Sequence, residues 1–598
     1  MSNHLVRARA LGPVLLSFVA LLGVFGAGCE RCSRKDTTTP VTGDGTASGP
    51  AASIVVMADG GPVQAQAIIT ESLANKVAGP TPSGGKISGA TTPMTVECKS
   101  PGQPVSPTIF GIAWADTDKD IGATAHRWGG NTTSRYNYKL GAWNTAQDWF
   151  WQNIKIDSHE VFLGKVAEKA GLAAITVPIM GWVAKDTTSA SFPVSVFGPQ
   201  EKTDPDHPDF GNGKKPDGKT LVTPKEPTRT SVAMSPEEIG EFVKKVRAYE
   251  KKIGKKLVFE WILDNEPGLW STTHRDVHPN PLTYDELLEK TIAYGTAIRK
   301  ADPDALIAGP TSYGWWEYFY SAKDHDEGFR SKPDRKAHGD VPLIAWYLQK
   351  LAEHEKKTGV RILDVLDVHI YPQADNVQGP DGHGGDGGGE TDRKTNDLRF
   401  RTTRSLWDRE YVDESWIKEA VYLIPRMKEL IAQNYPGRGF QIGEYNFGAE
   451  AHPAGGVALA EVLGRFALNG VSHAFYWTYP KTGTPAYWAF RAFRNYDGKG
   501  GHFLERIVPT SSPSGTSIYA SRDESGKKWV IIALNFSADR PEDASIELKG
   551  AASPGALKSF LYTGGEQGFV AGDAKLEGSS LKTKLPPYSI TVMELATQ

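Results

Sequence analysis

Between about residue 109 and residue 477 short apolar runs recur, separated by longer stretches of helical character. The runs are Ile109–Trp114, Ala125–Gly130, Ala173–Trp182, Leu257–Leu263, Ala305–Pro310, Val365–Tyr371, Phe440–Tyr445 and Ser472–Trp477. Several are apolar throughout rather than alternating, the pattern of strands buried on both faces. Between them, Ser235-Pro236-Glu237-Glu238 reads as a capping box with proline at the first helical position. Ile239, Phe242, Val243, Val246, Tyr249 and Ile253 then follow at helical spacing, and Gly254 closes the helix. Eight strand–helix units predict a (β/α)8 barrel with long insertions. The competing doubly wound sheet lacks a glycine-rich phosphate fingerprint after any strand. After about residue 503 the helical period stops. Thr516–Ser521, Trp529–Asn535, Ala544–Leu548, Lys558–Tyr562 and Ser589–Leu595 read as strands of an appended sandwich-like β domain over 504–598. The barrel region is 95–503, and Thr95–Cys98, ahead of its first apolar run, is a candidate extra strand for the β domain, to which 95–105 would then belong.

The N-terminal segment has the layout of an export signal. Arg7 and Arg9 precede an apolar run from Leu11 to Phe25, which is short for a membrane span. Gly26-Ala27-Gly28-Cys29 follows, similar to a lipobox in which Cys29 receives lipid, although Gly26 stands where leucine is usual. Ordinary cleavage leaving a free Cys29 is the alternative. Residues 30–94 are rich in Thr, Gly, Pro, Ser and Ala and read as a tether. The expected location is the cell envelope or the medium, with membrane contact only through the lipid.

Composition narrows the partners. Lys and Arg total 67 and Asp and Glu 70, a net charge of −3 that lacks the basic excess nucleic acid binding needs. Three cysteines exclude a disulfide framework. Sixteen tryptophans suggest a surface that stacks on flat ligands. A monomer acting on a polysaccharide is the expected state.

In a barrel the chemistry sits at the C-terminal ends of the strands. The fourth run ends Asp264-Asn265-Glu266-Pro267 and the seventh Gly443-Glu444-Tyr445-Asn446. These strands face each other across the barrel mouth, so Glu266 and Glu444 can flank a cleft. Glycosidic cleavage needs such a pair, one a proton donor and the other a nucleophile or base. Arg127 is a candidate to hold Glu444 ionised, Asn265 to bind a sugar 2-hydroxyl, and Tyr371 to donate to Glu444, with His369 beside it. Trp477 ends the eighth run as a candidate sugar platform, with Trp128, Trp182, Trp270, Trp315 and Trp316 as further candidates. Asn131 and Tyr445 complete the substrate-binding set. Asp217, Asp375, Asp381 and Asp386 lie in long loops, yet none fits the spaced EF-hand pattern, so structural calcium is possible but not predicted. No His-Glu-x-x-His or cysteine cluster suggests a catalytic metal or other cofactor.

His126-Arg127-Trp128-Gly129-Gly130-Asn131, Ser134-Arg135-Tyr136-Asn137-Tyr138 and Asp148-Trp149-Phe150-Trp151-Gln152-Asn153 form a block that resembles glycoside hydrolase family 44, over about residues 95–598. The resemblance implies a barrel plus a β-sandwich-like domain and a retaining endo-β-1,4-glucanase or xyloglucanase. It implies Glu266 as acid/base and Glu444 as nucleophile. Gln152 departs from the pattern, which often has Glu there. A retaining xylanase or mannanase shares the chemistry, and a glycan-binding lipoprotein without catalysis is the non-enzymatic alternative.

Overall fold

The computed structural model describes residues 91–379, 387–551 and 554–597. Cys29, the signal segment, the tether as far as residue 90, and Asp381 and Asp386 lie outside the described residues.

Eight parallel strands close into a barrel: Gly111–Ala113, Ala125–Trp128, Leu172–Val177, Val258–Leu263, Leu306–Ser312, Val365–Ile370, Gly439–Tyr445 and His473–Tyr476. They run round the barrel in chain order, and closure comes where Phe475 and Tyr476 pair with Gly111 and Ile112. The eight apolar runs are thus the eight barrel strands. The third strand is shorter than its run. It stops at Val177, and Trp182–Ala184 instead forms a hairpin with Ser231–Ala233.

The helix Pro236–Ile253 shows how locally the sequence sets its bounds. Ser235 accepts from the Glu238 backbone N–H, Glu238 returns a bond to the Ser235 N–H, and Gly254 ends the helix in the left-handed conformation. Its apolar residues Ile239, Phe242, Val243 and Val246 are buried against the barrel.

The insertion between the third and fourth strands shares a small separate core with the connection before the third strand, built from Trp151 of that connection and Phe192 and Val222 of the insertion. The Arg275 guanidinium lies over the Phe192 and Trp151 rings at 4.4 and 5.1 Å and donates to the carbonyls of Val222 and Gly213. Cation–π contact and two hydrogen bonds satisfy a buried charge that would otherwise be costly.

The β domain is two sheets with an apolar layer between them that includes Met94, Val96, Ile518, Ile531, Ile546, Leu581 and Met593. The five-stranded sheet takes in Thr92–Glu97, which pairs in parallel with Glu542–Lys549. The chain therefore contributes a strand to this domain before it enters the barrel. The helix Pro453–Leu468 joins the two parts and is buried from Ala454 to Leu468. Its Glu461 accepts from Arg465 at 2.7 Å on the same helix and from the Tyr519 hydroxyl of the seven-stranded sheet at 2.7 Å. The Arg465 guanidinium also lies 4.0 Å over the Trp407 ring.

Candidate active site

The fourth and seventh strands deliver Glu266 and Glu444 to one end of the barrel. Glu266 sits just past its strand with φ 44° and ψ 60°, a left-handed conformation that costs a non-glycine residue energy. Local bonds hold it there. Its N–H donates to the Thr311 carbonyl at 3.1 Å. Glu317 accepts from the Gly268 and Tyr313 N–H groups at 2.8 and 2.7 Å, and so pins the turn that follows Glu266. A Cβ on Gly268 would fall 2.5 Å from the Glu317 carboxyl, so only glycine permits this approach. Asp264 ties the turn to the third strand's end through the Ile179 and Met180 N–H groups at 2.6 and 3.0 Å.

Around Glu444 the donors converge. Arg127, from the second strand, reaches Oε1 at 2.5 Å, and Tyr371, just past the sixth strand, donates its hydroxyl to Oε2 at 2.8 Å. The other arm of the Arg127 guanidinium donates to Asn265 Oδ1 at 2.8 Å. His369 places Nδ1 at 2.9 Å from Glu266 Oε1 and 3.6 Å from Glu444 Oε2. Carboxylate oxygens of Glu266 and Glu444 lie within 4.8 Å of each other. Both side chains are buried.

Burial raises the proton affinity of both carboxyls, but their neighbours differ. Glu266 is pushed well above the ordinary glutamate value by burial and then by the charges of Glu444 and Glu317, with Arg127 opposing from a distance. Glu444 is also raised by burial, and there the Arg127 charge and the bonds from Arg127 and Tyr371 act directly against the rise. Of the two, Glu444 gives up its proton first. The Tyr371 phenol is raised well above its usual value by burial and the two carboxyls, so it remains a donor. His369 is driven well below its usual value by burial and by Arg127, so the imidazole is neutral.

The donor atoms of Glu266, His369 and Glu444 are close enough to grip a metal ion. Both Glu444 oxygens are already engaged, however, and a cation there would have to displace a guanidinium. The Asp217 carboxylate closes its own exposed turn through Lys219 and Thr220.

Arg127, Asn131, Asn265, Tyr371 and Glu444 are thus linked in one hydrogen-bonded cluster, with Asn265 Nδ2 donating to Asn131 Oδ1 at 3.0 Å, and the hydrogen-bonded Glu266–His369 pair lies beside it, with His369 Nδ1 3.6 Å from Glu444 Oε2. Trp477 borders it, its ring 5.9 Å from the Arg127 guanidinium carbon. Gly130 makes room for that ring: a Cβ there would sit 2.5 Å from Trp477.

Two of the expected substrate contacts are corrected. Trp128 is 2% exposed and packs among Trp114, Tyr136, Trp143 and Phe162. Tyr445 is 0% exposed and packs on Phe466 and Tyr476. Both are core residues. Trp270 and Trp316 are buried as well, while Trp182 and Trp315 keep part of their surface. The open tryptophans are others. Trp416 is 52% exposed and is held by Nε1–H donation to Gln373 Oε1 at 3.1 Å, two residues along the chain from Tyr371. Trp149 is 38% exposed and donates to Asp204 Oδ2 at 3.0 Å. Asp204 also accepts from Gln152 at 2.7 Å, so the residue that departs from the family pattern anchors this turn. Beside Trp149, Asp148 accepts from Asn131 at 3.1 Å. Its position within the aromatic block at 148–153 was the available signal.

Comparison with known proteins places the chain among glycoside hydrolases. A family model described as glycoside hydrolase family 44 matches residues 142–374. Endoglucanase A of Paenibacillus lautus is 29% identical over 541 residues, covering 85% of this chain and 73% of that protein. The structure of CelM2, described as a bifunctional glucanase-xylanase from a metagenome library, superposes with a TM-score of 0.80 at 33% identity, over 85% of this chain and 99% of that one. A family 44 xyloglucanase of Paenibacillus polymyxa gives 0.69 at 25% identity, over 85% of this chain and 100% of that one.

Proposed function

This chain belongs to glycoside hydrolase family 44, and on that premise we propose that it cuts β-1,4-glucan chains internally, cellulose-like or xyloglucan, with retention at the anomeric carbon. The observation that carries the reading is that one carboxyl oxygen of Glu266 and one of Glu444, both side chains buried, lie within 4.8 Å of each other, with Glu444 gripped by the Arg127 guanidinium. An inverting pair stands about 6.5–9.5 Å apart to admit a water, whereas a retaining pair stands about 5–5.5 Å apart.

In the first half-reaction Glu444 attacks the anomeric carbon while Glu266 gives its proton to the departing glycosidic oxygen. The glucan fragment carrying that oxygen leaves, and the remaining sugar is an ester of Glu444. In the second half Glu266, now ionised, takes a proton from water as the water oxygen displaces Glu444. Both carboxyls return to their starting states. Arg127 and Tyr371 steady the negative charge on Glu444 before attack and again as it departs. Asn265 has its carbonyl oxygen held by Arg127, which leaves its amide nitrogen to donate, one N–H to Asn131 and the other to the sugar 2-hydroxyl. Trp477 lines the sugar at the cleavage point, and Trp149 and Trp416 stack on sugars further along the chain.

The relatives described as an endoglucanase, a glucanase-xylanase and a xyloglucanase support a β-1,4-linked backbone as substrate. Product analysis on purified β-glucan, xyloglucan, xylan and mannan tests this, with proton NMR reading the first-formed anomer. Hydrolysis of xylan or mannan alone, or an α first product, overturns it. Export and lipidation at Cys29 are proposed with it, on the Gly26-Ala27-Gly28-Cys29 junction behind the apolar run.

A further inference from the structure

Four side chains form a hydrogen-bonded line leading out of the catalytic cluster. Arg127 Nη2 donates to Asn265 Oδ1 at 2.8 Å, Asn265 Nδ2 to Asn131 Oδ1 at 3.0 Å, and Asn131 Nδ2 to Asp148 Oδ1 at 3.1 Å. Every bond runs in the same direction. Arginine only donates, and a carboxylate only accepts once ionised, which for Asp148 means above about pH 7. An asparagine between them must therefore turn its oxygen toward the arginine and its nitrogen toward the aspartate. Without a committed acceptor at the far end, Asn131 can flip, and its NH2 then meets the Asn265 NH2, donor against donor.

Asn131 and Asn265 are 3% and 1% exposed, so water is poorly placed to compensate for a wrong orientation. Asp148 sits in the turn Ala146–Trp149, partly open to solvent, and among the described residues it has no other hydrogen bond that would explain a carboxylate there. Its charge is felt at the reacting groups. Burial and then Glu444 raise its own proton affinity to a value of about 7, and it contributes in turn to the rise at Glu266. A further acid added to Glu266, Glu444 and Glu317 is electrostatically unfavourable, which calls for a compensating role.

We infer that Asp148 is a positioning residue for the reaction, holding Asn131, and through it the Asn265 amide, in the one orientation that offers an N–H to the sugar 2-hydroxyl. The inference rests on the reading of Asn265 given above. Asp148 does not touch the reacting atoms. It acts by making one amide orientation the only one with all partners satisfied.

The test compares an aryl β-cellobioside bearing a good leaving group with its 2-deoxy counterpart, altered on the sugar that carries the aryl group. The quantity read is the ratio of kcat/KM for the two substrates, in which intrinsic reactivity cancels between enzymes. Asn265→Ala should collapse the wild-type ratio. Asp148→Asn and Asp148→Ser should lower it about tenfold, the worth of one hydrogen bond, and Asp148→Glu should restore it to within about threefold. Asn131→Ala should lower it as much, and adding Asp148→Asn to Asn131→Ala should lower it no further. If Asn265→Ala leaves the ratio unchanged, the role given to Asn265 is wrong and the inference falls with it. If Asn265→Ala collapses the ratio while the folded Asp148 variants slow both substrates equally, the role of Asn265 stands and that of Asp148 is refuted.

Discussion

The Arg127 guanidinium meets Oε1 of Glu444 at 2.5 Å, with both side chains sealed from solvent. A buried carboxylate with no such partner takes up a proton, which would remove the nucleophile.

Replacing Arg127 by Met removes the charge while keeping much of the volume. The Glu444 carboxyl, already raised by burial, then rises further, by about 1–3 units for loss of an adjacent opposite charge. Activity needs Glu444 ionised, so the acid limb of the kcat/KM profile moves to higher pH. Arg127 also lowers the proton affinity of Glu266, so the alkaline limb moves up as well. Stability falls by about 3–5 kcal/mol, the usual cost of breaking a buried pair from one side. A pH–rate series and a thermal melt read both. An acid limb that stays in place would mean Arg127 does not set the ionisation of Glu444.

Trp416→Ala and Trp128→Ala should fail in different ways. Trp416 is exposed and fixed by Gln373, which itself donates to the Tyr371 carbonyl at 3.0 Å. Its loss should raise KM on polymeric glucan about tenfold, roughly 1.4 kcal/mol of binding, with little change on a short aryl glycoside. Trp128 is core, and its truncation should cost about 3–5 kcal/mol in unfolding free energy. Equal effects of both on polymer KM would contradict the distinction.

That contrast marks where the sequence is legible. Barrel strands are apolar on both faces, so their period is readable without knowing their neighbours, and all eight runs became strands. Placing Glu266, Glu444, Arg127, His369 and Tyr371 together needed only the rule that strand ends converge at one mouth. Whether a tryptophan lines a cleft is another matter. Trp128 and Trp416 look alike in sequence, and only the packing of Trp114, Tyr136, Trp143 and Phe162 around the first separates them. Asp148 was hidden for a related reason. The aromatic block at 148–153 marks its neighbourhood, but its approach to Asn131 depends on how the turn at Ala146–Trp149 folds back.

Gly464 tests whether barrel and β domain unfold together. A Cβ there would lie 2.3 Å from the Tyr519 ring. Gly464→Ala should therefore lower stability by about 1–3 kcal/mol, as overpacking does. One hydrophobic core takes in Leu459 and Phe466 of this helix with Val530, Ile532 and Val592 of the β domain. Calorimetry should accordingly show a single transition that shifts as a whole. Two separated transitions in the wild type would refute the shared core.

Cys29→Ser should release the protein from the envelope. Cell fractionation with an antibody to the protein reads the outcome, and unchanged membrane association in the variant would refute lipidation.

The roles of the two glutamates are separable by azide rescue. Glu444→Gly leaves a cavity on the face from which the nucleophile attacks. Azide entering it reacts directly with an activated aryl glycoside and gives the inverted glycosyl azide. In Glu266→Ala the nucleophile is intact. A good leaving group departs with little protonation, so the ester on Glu444 forms, but it hydrolyses slowly without a base. Azide needs no base, attacks that ester from the opposite face and yields the retained product. On natural glucan, whose leaving oxygen must be protonated, both variants should be nearly inactive. Rescue products of opposite configuration are therefore expected, with Glu444→Gly giving the α azide and Glu266→Ala the β azide. The same anomer from both, or the reverse assignment, would overturn the mechanism while leaving the fold and the family untouched.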